Sequence, residues 1–342
     1  MPTISFKPKK ITKNIISELQ SRSSDVILNR FGLTPDGKRK TLEEIGKKYN
    51  ITRERVRQVE DAAIALIKKS GGYKKEQAAF EELKQLIHKL GAIVAEHELL
   101  PHISKDPSVQ NHVHFMLELG DAFKKHREDE HFHPRWSVDD TVAEKVHEAL
   151  HKLYTGLRDE DLISETEMVK KFLDHLKDVA EQYRDEEIIK RWLSMSKKVA
   201  RNPLGEWGRA TSPNIRTRGV KDYAFLVMRR HGSPMHFKEV ADAISKTFGK
   251  KIHYATCHNE LIKDVRFVLV GRGMYALSEW GYKAGIAREV IQDILKKSGP
   301  LPKDEVVKRV MKERYFKKNT ILVNLANAKF FKKNKTGQYS LA

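Results

Sequence analysis

The sequence predicts a mainly α-helical protein made of several small modules, some of which end in a short β-hairpin. Three observations predict this fold class. Apolar residues recur at spacings of three and four over most of the chain up to about Ala200. Glycine and proline interrupt that pattern at a few places, and the last third of the chain repeats one pattern of helices and a glycine-tipped hairpin. A chain of 342 residues, 39% of them hydrophobic, can form two to four such domains.

The first module is predicted from a helix-turn-helix pattern in residues 41 to 60. Thr41 and Glu44 have the spacing of a capping box at the start of one helix, and Asn50 ends that helix. Thr52 then caps a second helix directly after the turn. Two short helices joined by so tight a turn form a common DNA-binding motif.

The second of these helices has the composition of a recognition helix. Val56, Val59 and Ala63 share one side at spacings of three and four. A recognition helix presents its N-terminal end to the major groove, where arginine suits guanine, glutamine suits adenine and glutamate accepts from the amino group of cytosine. Double-stranded DNA is therefore the expected ligand of the five polar residues on the other side of the helix, namely Arg53, Glu54, Arg55, Arg57 and Gln58.

A family resemblance rests on these residues and on the chain before them. The motifs are Leu19-Gln-Ser-Arg22, Asp25-Val-Ile-Leu-Asn-Arg-Phe-Gly-Leu33 and Thr52-Arg-Glu-Arg-Val-Arg-Gln-Val-Glu60. Together they resemble region 4 of the sigma-70 family of bacterial sigma factors, over about residues 11 to 70. Nothing in the sequence resembles sigma region 2, the part that opens the promoter. The chain is therefore not expected to act as a complete sigma factor.

The resemblance implies binding to a promoter-like element of the −35 type and docking on the flap of core RNA polymerase. Carried over by position, it implies base contacts from Arg53, Glu54, Arg55 and Gln58. It implies phosphate contacts from Arg30, Thr41, Leu42 and Arg57. Double-stranded DNA and core RNA polymerase are thus the expected partners.

The net charge of +19 is unevenly distributed along the chain. Residues 1 to 75 carry 18 Lys and Arg against 8 Asp and Glu, residues 76 to 188 carry 14 against 26, and residues 189 to 342 carry 33 against 12. Both basic ends can neutralise phosphates, whereas the acidic middle would be repelled by them. The alternative is that the basic excess serves solubility alone.

The C-terminal third contains an internal repeat. Gly232-Ser-Pro-Met235 and Gly273-Met-Tyr-Ala-Leu277 recur as Gly299-Pro-Leu-Pro302 and Gly337-Gln-Tyr-Ser-Leu341. Each copy predicts three helices and a two-stranded wing, which is a winged helix. The first copy, through Pro234-Met-His-Phe-Lys-Glu-Val-Ala241, resembles the HARE-type winged helix, a module also found in the delta subunit of RNA polymerase. This resemblance implies an association with DNA and with transcription or chromatin machinery.

Basic side chains predict nucleic-acid contacts from the third helix and wing of each copy. Lysine contacts with phosphate would position a duplex without reading its sequence. The alternative is that exposed wings are rich in lysine for solubility. The candidates are Lys251, Lys263, Arg266 and Arg272 in the first copy, and Lys317, Lys318, Lys329, Lys332, Lys333 and Lys335 in the second.

Composition also predicts the domain boundaries. Lysines and prolines predict a loose N-terminal arm, and Gly71-Gly72 predicts a hinge. A faint echo of the repeat in residues 80 to 138 suggests a divergent winged helix within the middle domain. The expected domains are a basic arm (1–10), the sigma-like module (11–70), an acidic helical middle domain (71–200), a linker (201–218), the HARE-type winged helix (219–281) and a second winged helix (285–342).

The middle domain holds 11 of the 15 histidines, and residues 147 to 151 match the H-E-x-x-H pattern of zinc sites. A histidine-rich helix produces this match easily by chance, so we expect a solvated helix, no metal and no cofactor. Surface positions are expected for His112, His114, His131 and His133.

The remaining observations exclude several classes of protein. The single cysteine, Cys257, excludes a disulfide framework, fits a reducing cytoplasm and is expected to be buried. No apolar run approaches the roughly 18 residues of a membrane span. We therefore expect a soluble, cytoplasmic, nucleoid-associated protein with no membrane partner and no small-molecule substrate.

The sequence favours a non-enzymatic, sequence-specific DNA-binding transcription regulator of sigma-factor-like type. An accessory protein that acts mainly through contacts with core RNA polymerase is the first alternative. A metallohydrolase and a DNA-compacting architectural protein are the others.

Overall fold

The computed structural model describes residues 3–176, 181–282, 287–313, 316–334 and 336–342. Within these ranges the protein is mainly helical, and its strands are two to five residues long, which confirms the predicted fold class. The chain forms two compact units. The first unit runs to Arg201 and includes Gly205–Thr211, and the second contains Asn202–Leu204 and Ser212–Ala342. None of the described helices combines the length and the apolar character needed to cross a membrane.

The first unit begins with two helices, and the predicted helix-turn-helix follows them. Thr41 and Glu44 form the expected capping box, in which the Thr41 amide donates to the Glu44 carboxylate at 2.7 Å. Asn50 takes a left-handed conformation that ends the third helix. A small core closes beneath the turn, formed by Val26, Ile45 and Val56. The four helices are α1 (Pro8–Ile16), α2 (Ser21–Phe31), α3 (Leu42–Tyr49) and α4 (Arg53–Lys69).

Residues 3–10 do not form the loose arm that was expected for residues 1–10, of which residues 1 and 2 lie outside the described part of the chain. Ile4 and Phe6 pack against the main core of the first unit. Helix α1 already begins at Pro8, so Lys9 lies on a helix rather than on an arm. The cause is the apolar character of Ile4 and Phe6, whose burial outweighs the basic composition around them.

Gly71-Gly72 is not a hinge. Ser70 caps a further short helix, α5 (Gly71–Lys75), with its hydroxyl accepting from the Tyr73 amide at 3.1 Å. One continuous core extends from α1 to Trp136. The boundary expected at residue 70 therefore does not separate two bodies, because the sigma-like helices bury their apolar faces against the chain that follows.

The chain then forms a module with the element order of a winged helix, which we call the first winged module (residues 77–137). A helix, a strand, two helices and two strands follow one another, and the sheet order is β1-β3-β2. The elements are α6 (Gln77–Lys89), β1 (Ile93–Ala95), α7 (Glu96–Ile103), α8 (Pro107–Leu119), β2 (Lys124–His126) and β3 (Arg135–Ser137).

A second winged module (residues 140–209) completes the first unit and was not predicted. A single bridge between Ile163 and Trp207 takes the place of the first strand. The final hairpin contains Val199–Arg201, so the linker expected at residues 201–218 begins inside a folded element. The elements are α9 (Asp140–Gly156), α10 (Glu165–His175), α11 (Glu186–Ser194), β4 (Val199–Arg201) and β5 (Trp207–Arg209), with a short 3-10 helix at Glu181–Tyr183.

The second unit contains two modules with one topology, as the internal repeat predicted. The third winged module (residues 220–280) has sheet order β6-β8-β7. Its elements are α12 (Val220–His231), β6 (Met235–His236), α13 (Phe237–Phe248), α14 (Tyr254–Lys263), β7 (Phe267–Gly271) and β8 (Met274–Leu277), followed by a 3-10 helix at Ser278–Trp280.

The fourth winged module (residues 287–341) has sheet order β10-β11-β9, which is the same pairing in its own numbering. The predicted start at residue 285 and the predicted contact Lys335 lie outside the described residues. Its elements are α15 (Ala287–Ser298), β9 (Leu301–Pro302), α16 (Lys303–Glu313), α17 (Lys318–Leu325), β10 (Phe331–Lys333) and β11 (Gln338–Leu341).

Candidate nucleic-acid interface

The polar face of α4 is open to solvent. Val56 is fully buried and anchors the opposite side of the helix in the core beneath the turn. Because the buried side is fixed, the exposed side projects from a rigid support. All five predicted side chains are exposed, namely Arg53, Glu54, Arg55, Arg57 and Gln58.

Ion pairs organise this face. Arg57 donates to both carboxylate oxygens of Glu54, at 2.6 and 3.1 Å, and to Asp61 at 3.0 Å. The hydrogen bond from Arg57 lowers the pKa of Glu54, so this carboxylate stays an acceptor. Both partners are more than half exposed, so solvent screens their attraction and a ligand can open the pair easily.

A second polar pair lies on the same face, where Arg55 Nη1 donates to Gln58 Oε1 at 3.0 Å. The pair aligns one cationic and one amide side chain three residues apart. A base edge that approaches this face meets donors from Arg55 and both donor and acceptor groups from Gln58. The arrangement is suited to reading neighbouring base pairs.

The predicted phosphate-contacting residues near α4 differ in how exposed they are and in whether they already bond to the protein. Arg30 is 38% exposed, and its guanidinium lies 3.3 Å from Glu60 and 3.4 Å from the carbonyl oxygen of Lys40. Burial raises the pKa of Glu60. Thr41 is exposed at the N-cap of α3, and Leu42 is the first residue of that helix. A helix N-terminus attracts phosphate, so this corner fits the predicted role.

In the third winged module, two of the predicted nucleic-acid contacts are exposed and one is largely buried. Lys263 at the end of α14 and Arg272 at the tip of the β7–β8 hairpin are exposed. Arg266 is only 18% exposed, and its guanidinium lies 2.8 Å from Asp222 and 2.9 Å from Asp264. The prediction for Arg266 as a nucleic-acid contact is therefore corrected, because two carboxylates neutralise this cation within the module.

In the fourth winged module, the exposed basic residues cluster on the wing and near the third helix. Lys329, Lys332 and Lys333 are all exposed, the last two on β10. Lys317 and Lys318 are exposed at the start of α17. These positions leave the five cations accessible to phosphate.

Helix α17 also exposes uncharged residues that the sequence analysis missed. Asn319, Thr320 and Val323 are exposed at mutual spacings of one, three and four, so they share one face. Val323 is 73% exposed, which is unusual for a large apolar side chain in a helix. The exposure of Val323 is visible only in the structure, so the sequence pattern alone gave no signal for this face.

The third helix of the first winged module differs, because its histidines are buried. His112 and His114 were expected at the surface but are 8% and 6% exposed. Burial, and then Lys9, lower the pKa of His112 to about 4. The prediction failed because these residues share α8 with apolar neighbours that face α1 and α2. His131 and His133 are half-buried.

The H-E-x-x-H stretch is occupied by contacts within the protein. Arg135 Nε donates to His147 Nε2 at 2.7 Å, and Glu148 pairs with Lys152 at 2.7 Å. Burial, and then Arg135, lower the pKa of His147 to about 4. Across the described residues, no group of three His, Cys, Asp or Glu side chains could hold a metal ion.

Cys257 is buried, as expected, and burial raises the pKa of its thiol to about 12. A thiol that stays protonated is a poor nucleophile and a poor metal ligand. The structure thus gives this cysteine a packing role.

Two segments of the chain match known families of helix-turn-helix domains. Residues 15–69 match the family "Sigma-70, region 4". Residues 218–280 match the HARE-HTH family, a helix-turn-helix domain whose description names ASXL and restriction endonuclease. Both resemblances inferred from the sequence are therefore confirmed. The first match covers α4 with its exposed polar face, and the second covers the third winged module.

Individual relatives match the N-terminal segment. The chain is 52% identical over 52 residues to RNA polymerase sigma factor RpoD of Helicobacter pylori, which is 15% of this chain and 8% of that protein. It is 50% identical over 52 residues to RNA polymerase sigma factor SigA of Microcystis aeruginosa, 15% of this chain and 12% of that protein. It is 44% identical over 61 residues to SigA of Clostridium acetobutylicum, 18% of this chain and 16% of that protein. The chain thus spans less than a fifth of the length of these relatives.

Proposed function

We propose that this protein is a non-enzymatic bacterial transcription regulator that binds a promoter-like DNA sequence through the exposed face of α4. The observation that carries this proposal is the exposure of all five polar side chains on a helix anchored by buried Val56. The match of residues 15–69 to region 4 of sigma-70 supports it. The protein would act in the cytoplasm, on the nucleoid.

Each side chain has a distinct role in the proposed complex. Arg53 and Arg55 would donate to guanine, Gln58 would pair with adenine and Glu54 would accept from cytosine. Arg57 would exchange its bond with Glu54 for a phosphate, a change that costs little at an exposed ion pair. Phosphate contacts from Arg30 and from the start of α3 would hold α4 in register.

The C-terminal modules would bind duplex next to this site. Lys263 and Arg272 in the third winged module, and Lys329, Lys332 and Lys333 in the fourth, supply exposed positive charge. Such contacts add affinity that falls steeply with salt and carries no sequence information. With roughly 6 to 10 phosphate contacts in total, affinity should fall by about 10³ to 10⁵ between 50 and 200 mM salt.

A second candidate function is an accessory role on core RNA polymerase. A groove of about 450 Å³ lies on the sigma-like helices, lined in part by Ile15 and Leu19. Leu66 borders this groove and is 59% exposed, so an apolar segment of a partner protein could bind there. Co-purification with core polymerase in the absence of DNA would favour this function.

The test of the first proposal is selection of bound duplexes from a random pool, followed by binding measurements with variants. Gln58→Ala should relax the preference at one base position at a cost of about 1–3 kcal/mol, because the other reading side chains remain. Lys332→Ala serves as the matched control and should weaken selected and shuffled duplexes alike. Equal losses on both duplexes for Gln58→Ala would contradict base reading by α4.

A further inference from the structure

Helix α8 is the third helix of the first winged module. The third helix of the fourth module, α17, has an exposed face, whereas α8 is covered by its own chain. Eight of its 13 residues are buried, and it packs against α1 and α2. Phe115 is fully buried and lies 4.8 Å from Phe31 of α2, measured between ring centroids. The module therefore uses its third helix to hold the sigma-like helices.

Asn111 links α8 to the segment that precedes the helix-turn-helix. Its Nδ2 donates to the carbonyl oxygen of Gly32 at 3.1 Å and to that of Gly37 at 2.8 Å. Its Oδ1 accepts from Arg39 Nε at 2.8 Å. One buried amide thus bonds three residues of the segment 32–40, which connects α2 to α3.

The segment held by Asn111 leads directly into the helix-turn-helix. Gly32 and Gly37 both adopt left-handed conformations, with φ of 64° and 63°. A Cβ at Gly32 would lie 2.7 Å from Asn111 Nδ2, so the two residues fit closely. The segment ends at Lys40, whose carbonyl oxygen accepts from Arg30, and is followed by the N-cap Thr41.

We propose that the first winged module is an intramolecular clamp that presets the helix-turn-helix for DNA, with Asn111 as its positioning residue. This inference rests on the proposed function. Asn111 touches none of the base-reading side chains of α4. It fixes segment 32–40, which joins Arg30 on α2 to Thr41 and Leu42 at the start of α3, the three residues of the predicted phosphate-contacting corner. Without this bond, DNA binding would include the cost of ordering that segment.

The clamp predicts loss of affinity without loss of base preference. Asn111→Ala in the full chain should weaken selected and shuffled duplexes by one common factor of about tenfold. The slope of affinity against salt should become shallower by about 0.9 for each phosphate contact that is lost. Hydrogen exchange at the Lys40 amide, which donates to Asn29, should accelerate.

Thr12→Val is the matched control. Thr12 is buried in the same interface, where its Oγ1 lies 2.5 Å from His112 Nδ1, and its hydrogen-bond partners lie on α1 and α8 rather than in segment 32–40. This variant should bind DNA within about twofold of wild type and leave Lys40 exchange unchanged. Equal losses of affinity in Asn111→Ala and Thr12→Val would overturn the clamp, because general weakening of the interface would then explain both.

Two further outcomes are informative. If the wild-type chain binds no duplex, the proposed function fails, and Lys40 exchange in Asn111→Ala alone decides the clamp: unchanged exchange overturns it. If Asn111→Ala does not fold, Arg39→Ala removes one of the three hydrogen bonds, the one donated by an exposed side chain of the segment, and leaves those to the carbonyl oxygens of Gly32 and Gly37. Faster Lys40 exchange in that variant supports the clamp, and wild-type exchange rejects it.

Discussion

Helices α8 and α17 are each the third helix of a winged module, but α8 is mostly buried whereas α17 has an exposed face. Eight residues of α8 are buried, including Phe115, whereas α17 exposes Lys318, Asn319 and Val323. The charges differ in the same direction. Residues 77–137 carry 7 Lys and Arg against 10 Asp and Glu, and residues 287–341 carry 14 against 5. One topology therefore carries two different helix surfaces, one buried and one exposed, and the residues on one helix face decide which.

The largest expected difference between the two helices is in stability. Phe115→Ala should lower the free energy of unfolding of the first unit by about 3–5 kcal/mol, because it leaves a cavity in a closed core. Val323→Ala should change stability by less than about 0.5 kcal/mol, because Val323 is exposed. Urea titration followed by tryptophan fluorescence suits the first unit, which holds three of the four tryptophans. Similar losses for both variants would remove the distinction between the helices.

Acid should sharpen the contrast, because both winged modules of the first unit hold histidines with lowered pKa values, whereas the fourth winged module contains no histidine. Burial lowers the pKa of His112 in the first winged module and of His147 in the second to about 4. It also lowers the pKa of His126 in the first module. In the unfolded chain a histidine has a pKa of about 6.5. The stabilisation of the folded state by these neutral imidazoles is therefore fully present above about pH 6.5 and is lost as the pH falls toward 4.

Between pH 7 and 5, His112 and His147 together should cost the first unit about 2 kcal/mol, after a discount for partial exposure. His147→Gln keeps an acceptor for Arg135 and should remove about half of that loss. Thermal unfolding at the two pH values measures both quantities. A first unit that is equally stable at pH 7 and 5 would show that these imidazoles do not resist protonation.

The wings provide the smallest test of the comparison. Replacing Lys332 and Lys333 together by Ala should weaken binding to any duplex about tenfold and make the salt slope shallower by about 2, if each lysine contacts one phosphate as we propose. The corresponding change of Lys124 and Lys125 on β2 should have little effect, because these lysines pair with Asp140 and Glu118. Fluorescence anisotropy over a range of salt measures both variants. A comparable loss in the β2 variant would assign nucleic-acid binding to the first module as well.

Local signals explain what the sequence could predict. The capping box at Thr41, the left-handed Asn50 and the apolar spacing on α4 depend on residues within one turn of each other. They specify a helix-turn-helix before any tertiary contact is known. The internal repeat predicted the third and fourth modules for a similar reason, since its glycines lie at turns that require them.

Long-range partners explain what the sequence could not predict. Arg266 counts as a basic residue until the fold brings Asp222 beside it, 44 positions away in the chain. The burial of α8 depends on α1 and α2, about 100 residues upstream, as the contact between Thr12 and His112 shows. The second winged module was missed because one residue, Ile163, replaces its first strand. Composition and periodicity do not contain these pairings.

The buried, protonated state of Cys257 has a practical consequence for single-molecule optics. Maleimide dyes react with thiolates, and this thiol offers almost none at neutral pH. A new cysteine placed at exposed Gln58 or Asn319 would then be the one site that takes up label in the folded protein. The native chain is thus already a suitable background for donor and acceptor fluorophores, and its own sulfur atom can stay in place.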